Sequence, residues 1–565
     1  MKKILLAGLV LIFGTIGTAQ PQHLDKSTGT EVEVCSIDSI FNDINCDDSP
    51  GCSVGVFRAG EIIFSKGYGM ASLEHNISLS PNSKINLGSV SKQFTALSVI
   101  LLDQKGKLSI DDPIRKYLPE LPEYAAPVTI RHLIHHTGGI RDNVALLRLA
   151  RGQVESDSDE VIKSMLEWQS RLNFNPGENF MYSSAGYSLL AMIVERVSGK
   201  SFKEFTKQEI FDPLGMESSR FLSHATSKNR ALAYVPYGDN KYRLSIPTHS
   251  LVGTTGLYTT IEDLAKWDKN FYDMQVGGSE GISLMQIPGR LNSGQELSYA
   301  SGLLIDSYRG LKTVWHGGFD PGYTSMLLRF PEEHLTVAIL CNITSANPWE
   351  RAYKVADLYL GNEMDEEQVA TGLNYENVTL SHKELEVFTG IYKSRDGIMV
   401  QSFDEKDGQL IATIGNTQYP LSHIGNRQFS DGITHYVLSF TESGEGDAMT
   451  ASWSPNPRPI KGDSLKLDRI SPRWNPVHNE LSEFTGSFFN EELDANWKIV
   501  QNDDGLVLKR WGIEDQFLEP LNKDVFAFKG NTSPRLEFKR EDNGRINHIE
   551  VSNEQILGIK FLKRN

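Results

Sequence analysis

The sequence is poor in cysteine, has no excess of positive charge and, beyond its amino terminus, lacks an uninterrupted apolar run of membrane-spanning length. Four cysteines in 565 residues exclude a fold that depends on a dense disulfide framework. The formal net charge is −16 at pH 7, and an acidic surface repels phosphate backbones, so we expect no nucleic-acid partner. The missing apolar runs exclude a polytopic membrane protein.

Residues 1–19 have the pattern of an export signal, with two lysines, an apolar stretch and small residues before a cleavage point. A membrane anchor is the alternative, but the stretch is short for a bilayer. We therefore predict a periplasmic or secreted chain that does not contact the membrane after cleavage.

The cysteines allow more than one arrangement in an exported chain. Cys46 and Cys52 flank a turn-rich segment, which is compatible with a local disulfide. Cys341 ends a strand-like apolar run, and we expect it to be a buried free thiol.

Two other patterns are rejected as functional sites. Ser53 lies in a G-x-S-x-G match, but strand-like residues follow it where a nucleophile elbow requires a helix. No H-E-x-x-H pattern or Cys/His spacing is typical of zinc, so we expect no metal and no cofactor. The clustered histidines are interpreted as structural: His132, His135 and His136.

The chain divides into three blocks. Residues 24–360 mix helical and strand patterns, and residues 361–381 form a polar, acidic linker. Residues 382–475 and 476–565 are strand-rich and resemble each other: segment 385–392 matches 481–488, and an Asp-Gly turn follows in each. Short alternating strands with such turns predict two small antiparallel β-barrel-like domains.

The sharpest local motif is Ser89 followed by Lys92 at the start of an amphipathic helix pattern. Three residues apart on a helix, the two side chains share one face. A lysine in a dry pocket can have a lowered pKa and accept the serine proton, and the helix amino terminus can stabilise an oxyanion. The alternative is a helix-capping serine beside a solvated lysine.

Two further motifs follow. Tyr182 precedes a second amphipathic helix, where Ser183 or Ser184 is expected to cap the helix, and the alternative for Tyr182 is a packing role. His316 is followed by paired glycines and two strand patterns. Such glycines allow a ligand to approach the backbone, and the alternative is a glycine-rich turn.

Together the three motifs resemble the serine β-lactamase-like hydrolase family, which contains class C β-lactamases, D-Ala-D-Ala carboxypeptidases, D-aminopeptidases and esterases. The family's motifs come in the order S-x-x-K, then Y-x-N, then K-T-G or H-x-G, and the three motifs here appear in the same order. Segments 129–140, 211–216 and 253–264 are also similar to the family. The resemblance covers roughly residues 45–345. It implies an α+β fold in which an antiparallel sheet is flanked by helices, followed here by the two barrel-like domains.

The resemblance also implies roles. Ser89 is expected to be the nucleophile, Lys92 and Tyr182 to share acid and base work, and His316 to polarise or orient the substrate. The expected oxyanion hole consists of the backbone N–H groups of Ser89 and Phe319. The residues expected to bind substrate are Ser184, Gly317 and Gly318.

Two residues depart from the family pattern. Ser184 stands where the family usually has asparagine, which weakens the expectation of amide specificity. His316 replaces the lysine of the K-T-G form, and an imidazole carries less positive charge near neutral pH. We therefore expect weak capture of a β-lactam carboxylate.

The expected function is an exported serine hydrolase that acts through an acyl-enzyme on esters, small amides or peptides, like a D-aminopeptidase or D-Ala-D-Ala carboxypeptidase. The alternatives are a carboxylesterase with little peptidase activity, or a binding protein for cell-wall fragments with a degenerate site. The partner is a small-molecule or peptide substrate, and the oligomeric state stays open. We expect the C-terminal domains to shape substrate access.

Overall fold

The structure is a computed structural model that describes residues 31–564, apart from thirteen segments. The segments outside the description are 153–158, 222–227, 239–240, 246–251, 365–379, 415–416, 431–436, 443–448, 455–459, 462–463, 471–473, 475 and 530–532, together with 1–30 and 565 at the termini. The predicted export signal and most of the predicted linker therefore lie outside the described residues.

The first part of the chain combines helices and strands. Its described strands are β1 (Cys52–Arg58), β2 (Glu61–Tyr68), β3 (Met70–Ser72), β4 (Ile77–Ser78), β5 (Ile85–Asn86), β6 (Arg220–Phe221), β7 (Ala233–Gly238), β8 (Lys241–Ser245), β9 (Leu257–Thr259), β10 (Leu304–Tyr308), β11 (Leu311–Asp320), β12 (Tyr323–Phe330) and β13 (Leu335–Cys341). Its described α-helices are α1 (Glu31–Ile40), α2 (Lys92–Gln104), α3 (Ile130–Ile134), α4 (Asn143–Arg151), α5 (Asp159–Glu167), α6 (Ser184–Ser198), α7 (Phe202–Thr206), α8 (Ile261–Asp273), α9 (Gly278–Met285) and α10 (Pro348–Leu360).

A six-stranded antiparallel sheet in the order β10-β11-β12-β13-β1-β2 forms the centre of this domain. β12 and β13 are buried along their whole length, because helices cover both faces of the sheet. Their near-continuous apolar sequence follows from this two-sided burial. The larger apolar cluster contains α2 and α6, and the other contains α1 and α10.

The rest of the chain forms two closed antiparallel barrels of eight strands, as the sequence repeat predicted. The first barrel follows a short helix, α11 (His382–Glu386), and consists of β14 (Gly390–Ser394), β15 (Val400–Lys406), β16 (Gln409–Ile414), β17 (Thr417–Gly425), β18 (Gln428–Ser430), β19 (Val437–Glu442), β20 (Met449–Ser454) and β21 (Leu465–Ile470). The second follows α12 (His478–Leu481) and consists of β22 (Gly486–Asn490), β23 (Ala495–Asn502), β24 (Gly505–Lys509), β25 (Gln516–Asn522), β26 (Val525–Phe528), β27 (Arg535–Arg540), β28 (Ile546–Ser552) and β29 (Ile559–Arg564).

The repeated sequence landmarks occupy equivalent places in the two barrels. Phe429 and Phe526 are fully buried on the fifth strand of their respective barrels. An Asp-Gly turn precedes or begins the third strand in each. The register of the sequence repeat therefore corresponds to the register of the strands.

The disulfide predictions were wrong. Cys52 and Cys341 form a disulfide, while Cys46 is exposed and has a free thiol. Cys52 pairs directly with Cys341 in the register of β1 and β13, so the two sulfur atoms meet across neighbouring strands. A separation of 289 residues hid this pairing from any argument based on local spacing.

Within the described part of the chain, no helix reaches both the length and the apolar character needed to cross a membrane.

Candidate active site

The Ser89 turn is held against strand β11. Residues Gly88–Ser91 form a 3₁₀ turn that leads into α2, and Gly88 has a φ of +53°. A Cβ on Gly88 would lie 2.5 Å from the backbone nitrogen of Phe319, and a Cβ on Gly318 would lie 1.9 Å from the carbonyl oxygen of Leu87. Glycine at both positions therefore allows the Phe319 N–H to lie beside the turn that carries Ser89.

Lys92 has the surroundings of a general base. Its side chain is fully buried, and Nζ lies 3.0 Å from Ser89 Oγ and 3.0 Å from the carbonyl oxygen of Thr254. Burial lowers the pKa of Lys92 to about 7, although the carboxylates of Asp142 and Asp320 favour its charged form. A substantial fraction of Lys92 is therefore neutral near pH 7 and can accept a proton.

Tyr182 is an aromatic residue of the active site and lies close to the Lys92 side-chain nitrogen. Lys92 Nζ is 4.9 Å from the centre of the Tyr182 ring. Burial raises the pKa of Tyr182, and the nearby Ser89 hydroxyl opposes the rise. Among the residues that the structure describes, no group meets the buried Tyr182 hydroxyl with hydrogen-bond geometry. Tyr182 is thus a protonated phenol whose hydroxyl is available to a reacting group.

Two side chains hold the backbone around Tyr182. Nδ1 of His136 accepts a hydrogen bond from the N–H of Ser183 at 3.2 Å, and Oδ2 of Asp142 accepts one from the N–H of Ser184 at 2.6 Å. The side chain of Ser183 makes no capping bond to α6, contrary to the expectation that a local serine caps this helix. Asp142 serves a first-turn N–H of α6 instead.

His136 is neutral in this arrangement. Because Nδ1 accepts a bond from Ser183, the ring proton resides on Nε2. Burial and the positive charge of Lys92 lower the pKa of His136 well below its usual range. Its ring lies 4.2 Å from that of Tyr182 between centroids. The sequence contained no signal for this contact with Tyr182.

His316 has both ring nitrogens engaged by protein groups. Nδ1 donates to the carbonyl oxygen of Gly317 at 2.6 Å, so Nε2 accepts from the Tyr299 hydroxyl at 3.1 Å. Burial and then the charge of Lys92 lower the pKa of His316 to about 3. The imidazole is therefore neutral near pH 7, and its contact with a substrate stays a prediction.

The residues predicted to bind substrate or to form the oxyanion hole have different surroundings. A Cβ on Gly317 would lie 3.6 Å from the Trp349 ring, whereas one on Gly318 would meet Leu87. Ser184 is half-buried at the start of α6. The Phe319 side chain is 58% exposed, although its backbone lies against the Ser89 turn.

The rejected Ser53 lies in the central sheet. It is fully buried on β1, and its hydroxyl donates to the carbonyl oxygen of Ser80 at 2.9 Å. Within the described ranges, no group of three or more His, Cys, Asp or Glu side chains is arranged to hold a metal ion.

The first barrel reaches the rim of this site. Ile460, between β20 and β21, is buried in an apolar cluster with Phe180 and Tyr299, against which Tyr182 packs. Close by, Lys461 forms an ion pair with Glu296 at 2.8 Å. The sequence contained no signal for these long-range contacts.

The chain is similar to proteins of known families. The family model described as Beta-lactamase matches residues 40–360. Penicillin-binding protein 4* of Bacillus subtilis (strain 168) is 32% identical over 313 residues, which cover 52% of this chain and 68% of the relative. The D-aminopeptidase of Gluconobacter oxydans (strain 621H) is 27% identical over 300 residues, covering 53% of this chain and 56% of that relative.

Solved structures share the fold. The octameric penicillin-binding protein homologue from Pyrococcus abyssi superposes with a TM-score of 0.56 at 23% identity, covering 77% of this chain and 100% of that one. FmtA from Staphylococcus aureus gives a TM-score of 0.51 at 20% identity, covering 61% of this chain and 91% of that one. At these identities the likeness concerns the fold alone.

Proposed function

The chain belongs to the β-lactamase family and is a serine hydrolase, and from that premise we propose that it is an exported enzyme that cleaves small amides, peptides or esters through an acyl-enzyme on Ser89. One observation carries the proposal: Lys92 is fully buried, its Nζ lies 3.0 Å from Ser89 Oγ, and its pKa is lowered to about 7. A serine hydroxyl needs such a base to become a nucleophile.

In the first half-reaction, neutral Lys92 takes the Ser89 proton as Oγ bonds to the substrate carbonyl carbon. The backbone N–H groups of Ser89 and Phe319 stabilise the negative charge on the carbonyl oxygen. The carbon–nitrogen or carbon–oxygen bond then breaks, and the proton passes from Lys92, through the Tyr182 hydroxyl, to the departing amine or alcohol. Tyr182 suits this relay because its phenol is protonated. Within the part of the chain that the structure describes, no residue forms a hydrogen bond of good geometry with the Tyr182 hydroxyl.

In the second half-reaction, water attacks the Ser89 ester and the same groups act in reverse. A proton from the water passes to the Lys92–Tyr182 pair while a tetrahedral intermediate forms on Ser89. A proton then returns to Ser89 Oγ as the bond to the carbonyl carbon breaks. The acid product leaves, and Ser89, Lys92 and Tyr182 return to their starting protonation states.

The proposed substrate class is an amide or peptide with a D-amino acid residue at the acyl side of the cleaved bond. The name of the Gluconobacter relative, a D-aminopeptidase, supports this class. Because the aligned region spans 56% of the D-aminopeptidase, the proposal concerns the catalytic domain first.

A carboxylesterase is the second candidate, and the residues at two positions favour it. Ser184 replaces the asparagine that usually serves an amide substrate. His316 is neutral near pH 7 and has both nitrogens bonded to protein groups, so it provides little positive charge for a substrate carboxylate. An ester has a better leaving group than an amide, so its cleavage depends less on the asparagine and the positive charge that these two positions lack.

A fluorophosphonate probe with intact-mass analysis tests the nucleophile. We expect one adduct on the wild type, none on Ser89→Ala, and one on the matched control Ser53→Ala. Ser53 is a suitable control because it is a buried serine on β1. An adduct that persists in Ser89→Ala would contradict the assignment.

A substrate panel then separates the two candidate functions. D- and L-alanine p-nitroanilides, p-nitrophenyl acetate and nitrocefin are compared by kcat/KM. Preferential cleavage of the D-anilide supports the peptidase, and cleavage of the ester alone supports the carboxylesterase. We expect nitrocefin to be a poorer substrate than the ester, and the opposite order would refute the argument from Ser184 and His316. Export is tested by cell fractionation with and without residues 1–19.

A further inference from the structure

The second barrel is attached to the catalytic domain through α4, the helix that follows the Arg141–Asp142 corner. Leu146 and Leu149 of α4 belong to the same apolar cluster as Trp497 of the barrel interior. The Trp497 indole N–H donates to the carbonyl oxygen of Leu149 at 3.2 Å. The carboxyl end of α4 is thus satisfied by a barrel side chain, and the helix and the barrel form one packed unit.

The corner at the other end of α4 is held by the same barrel. Arg141 is 2% exposed, and its Nη1 forms an ion pair with Glu492 Oε2 at 3.0 Å. Its Nη2 donates to the carbonyl oxygen of Leu557 at 3.2 Å. Nη1 also donates to Gln169 Oε1 of the catalytic domain at 2.7 Å. Because a buried guanidinium without its partners is costly, loss of the two barrel groups would leave Arg141 short of partners.

The adjacent residue connects the barrel to the active site. The Asp142 N–H donates to the carbonyl oxygen of Gln555 at 3.3 Å. On the inner side, the Asp142 carboxylate accepts bonds from the N–H groups of Ala145 at 3.0 Å and Ser184 at 2.6 Å. Ser184 follows Tyr182 by two residues, so the position of Asp142 sets the position of the Tyr182 segment.

Asn173 strengthens the same connection. Its Nδ2 donates to the carbonyl oxygen of Gln555 at 3.0 Å, and its Oδ1 accepts from the Leu557 N–H at 2.8 Å. Its own backbone N–H donates to the carbonyl oxygen of Gly139 at 2.8 Å. The barrel segment 555–557 is therefore fixed to the loop before α4 from two sides.

We propose that Glu492 and segment 555–557 of the second barrel are positioning elements of the active site: they hold the Arg141–Asp142 corner so that Asp142 orients the Tyr182 segment and keeps a carboxylate near Lys92. This inference rests on the proposed function of Lys92 and Tyr182. It assigns the barrel a task beyond the shaping of substrate access.

The proposal has a consequence for the pH dependence of the reaction. The titratable groups that face Lys92 are Asp142, Asp320, His136, His316, Tyr182 and Tyr187. The histidines and tyrosines are neutral near pH 7, so the two carboxylates are the charges that raise the pKa of Lys92 against the effect of burial. Displacement of Asp142 lowers the pKa of Lys92 further. The acidic limb of the pH profile, where kcat/KM rises as Lys92 loses its proton, therefore moves to lower pH.

The test compares full-length Glu492→Gln with the wild type and with a matched control, Glu483→Gln. Glu483 belongs to the second barrel and pairs with Arg540 of that barrel at 2.7 Å. Asp142→Asn is the reference that removes the charge itself. Rates are measured with p-nitrophenyl acetate and expressed per probe-labelled site, which counts only folded active molecules.

In Asp142→Asn we expect the acidic limb to shift down by roughly one pH unit. In Glu492→Gln we expect a smaller shift in the same direction and a fall in kcat of about tenfold or more, since small displacements of catalytic groups are costly. KM should change little. Glu483→Gln should match the wild type in all three quantities.

Three results overturn the proposal, and they can be told apart. If Asp142→Asn shifts the limb while Glu492→Gln behaves like Glu483→Gln, the positioning role is refuted and the proposed function stands. If Asp142→Asn leaves the limb unchanged, Lys92 is not the titrating base, and both proposals fail. A lowered melting temperature alone, with an unchanged limb and rate, also refutes positioning.

A second variant covers the case in which Glu492→Gln does not fold. Asn173→Ala removes the side-chain bonds to Gln555 and Leu557, together with a 2.9 Å contact from Nδ2 to Met181 Sδ, and leaves the buried charge pair of Arg141 intact. The same downward shift and loss of kcat are expected. Wild-type values in a folded Asn173→Ala protein would overturn the proposal.

Discussion

Gly318→Ala provides a sharp test of the site geometry. The added Cβ would lie 1.9 Å from the carbonyl oxygen of Leu87 and 2.3 Å from Ser325 Oγ. Those two atoms are hydrogen-bonded to each other at 2.7 Å, so neither can move independently. Strand β11 must therefore withdraw from the Ser89 turn by more than roughly 1 Å to restore ordinary contact distances.

This withdrawal acts directly on the expected oxyanion hole. Phe319 follows Gly318, and its backbone nitrogen lies against Gly88. Loss of one oxyanion-hole donor reduces kcat by about 100- to 1000-fold, or about 2.7–4 kcal/mol of transition-state stabilisation. We expect Gly318→Ala to fall in this range with p-nitrophenyl acetate as the substrate.

Gly317→Ala is the matched comparison for kcat, because it adds the same methyl group one residue earlier on the same strand. An effect on the substrate contact expected of Gly317 would be seen in KM. Its Cβ would meet the Trp349 ring at 3.6 Å, an ordinary contact. We expect its kcat to stay within about threefold of the wild type, since such a contact changes free energies by ~0.5 kcal/mol.

The assay combines steady-state kinetics with circular dichroism, so that a folding defect is recognised. Equal kcat values for folded Gly318→Ala and Gly317→Ala would refute the argument. They would mean that the Phe319 N–H does not stabilise the transition state, or that β11 adapts without displacing it.

Three further predictions follow from the structure. Lys92→Ala, Tyr182→Phe and the double variant should retain similar kcat values, because groups that act as a unit show non-additive losses; losses that multiply would show independent action. In the wild type, kcat/KM should rise with pH through about 7 as Lys92 loses its proton, and a pH profile without an ionisation near this value would exclude Lys92 as the base. Replacement of both Cys52 and Cys341 by alanine should lower the free energy of unfolding in urea by up to roughly 5 kcal/mol, because the disulfide closes a loop of 289 residues; an unchanged urea midpoint would contradict this estimate.

Much of the fold could be predicted because its signals are local. Apolar runs indicated β12 and β13, and an amphipathic pattern indicated α6. The repeat at 385–392 and 481–488 indicated the two barrels, whose strands are joined largely by short turns. Such patterns depend on residues within a few positions of one another.

The candidate site was predictable in part. The three-residue spacing of Ser89 and Lys92 indicated a shared helix face, and the structure places Nζ 3.0 Å from Oγ. The sequence contained no indication that Asp142 holds the Tyr182 segment or that a barrel residue, Glu492, pairs with Arg141. Those contacts join residues that are far apart in the chain.

The sequence by itself determined the residue types, their spacing along helices and strands, and the glycines that permit close backbone approach at the Ser89 turn. The tertiary structure alone decided the Cys52–Cys341 pairing, the lowered pKa of Lys92 and the neutral state of His316. The physical reason is that spacing and propensity act over a few residues. Burial and charge depend on every group that folding brings into contact, whatever its distance along the chain.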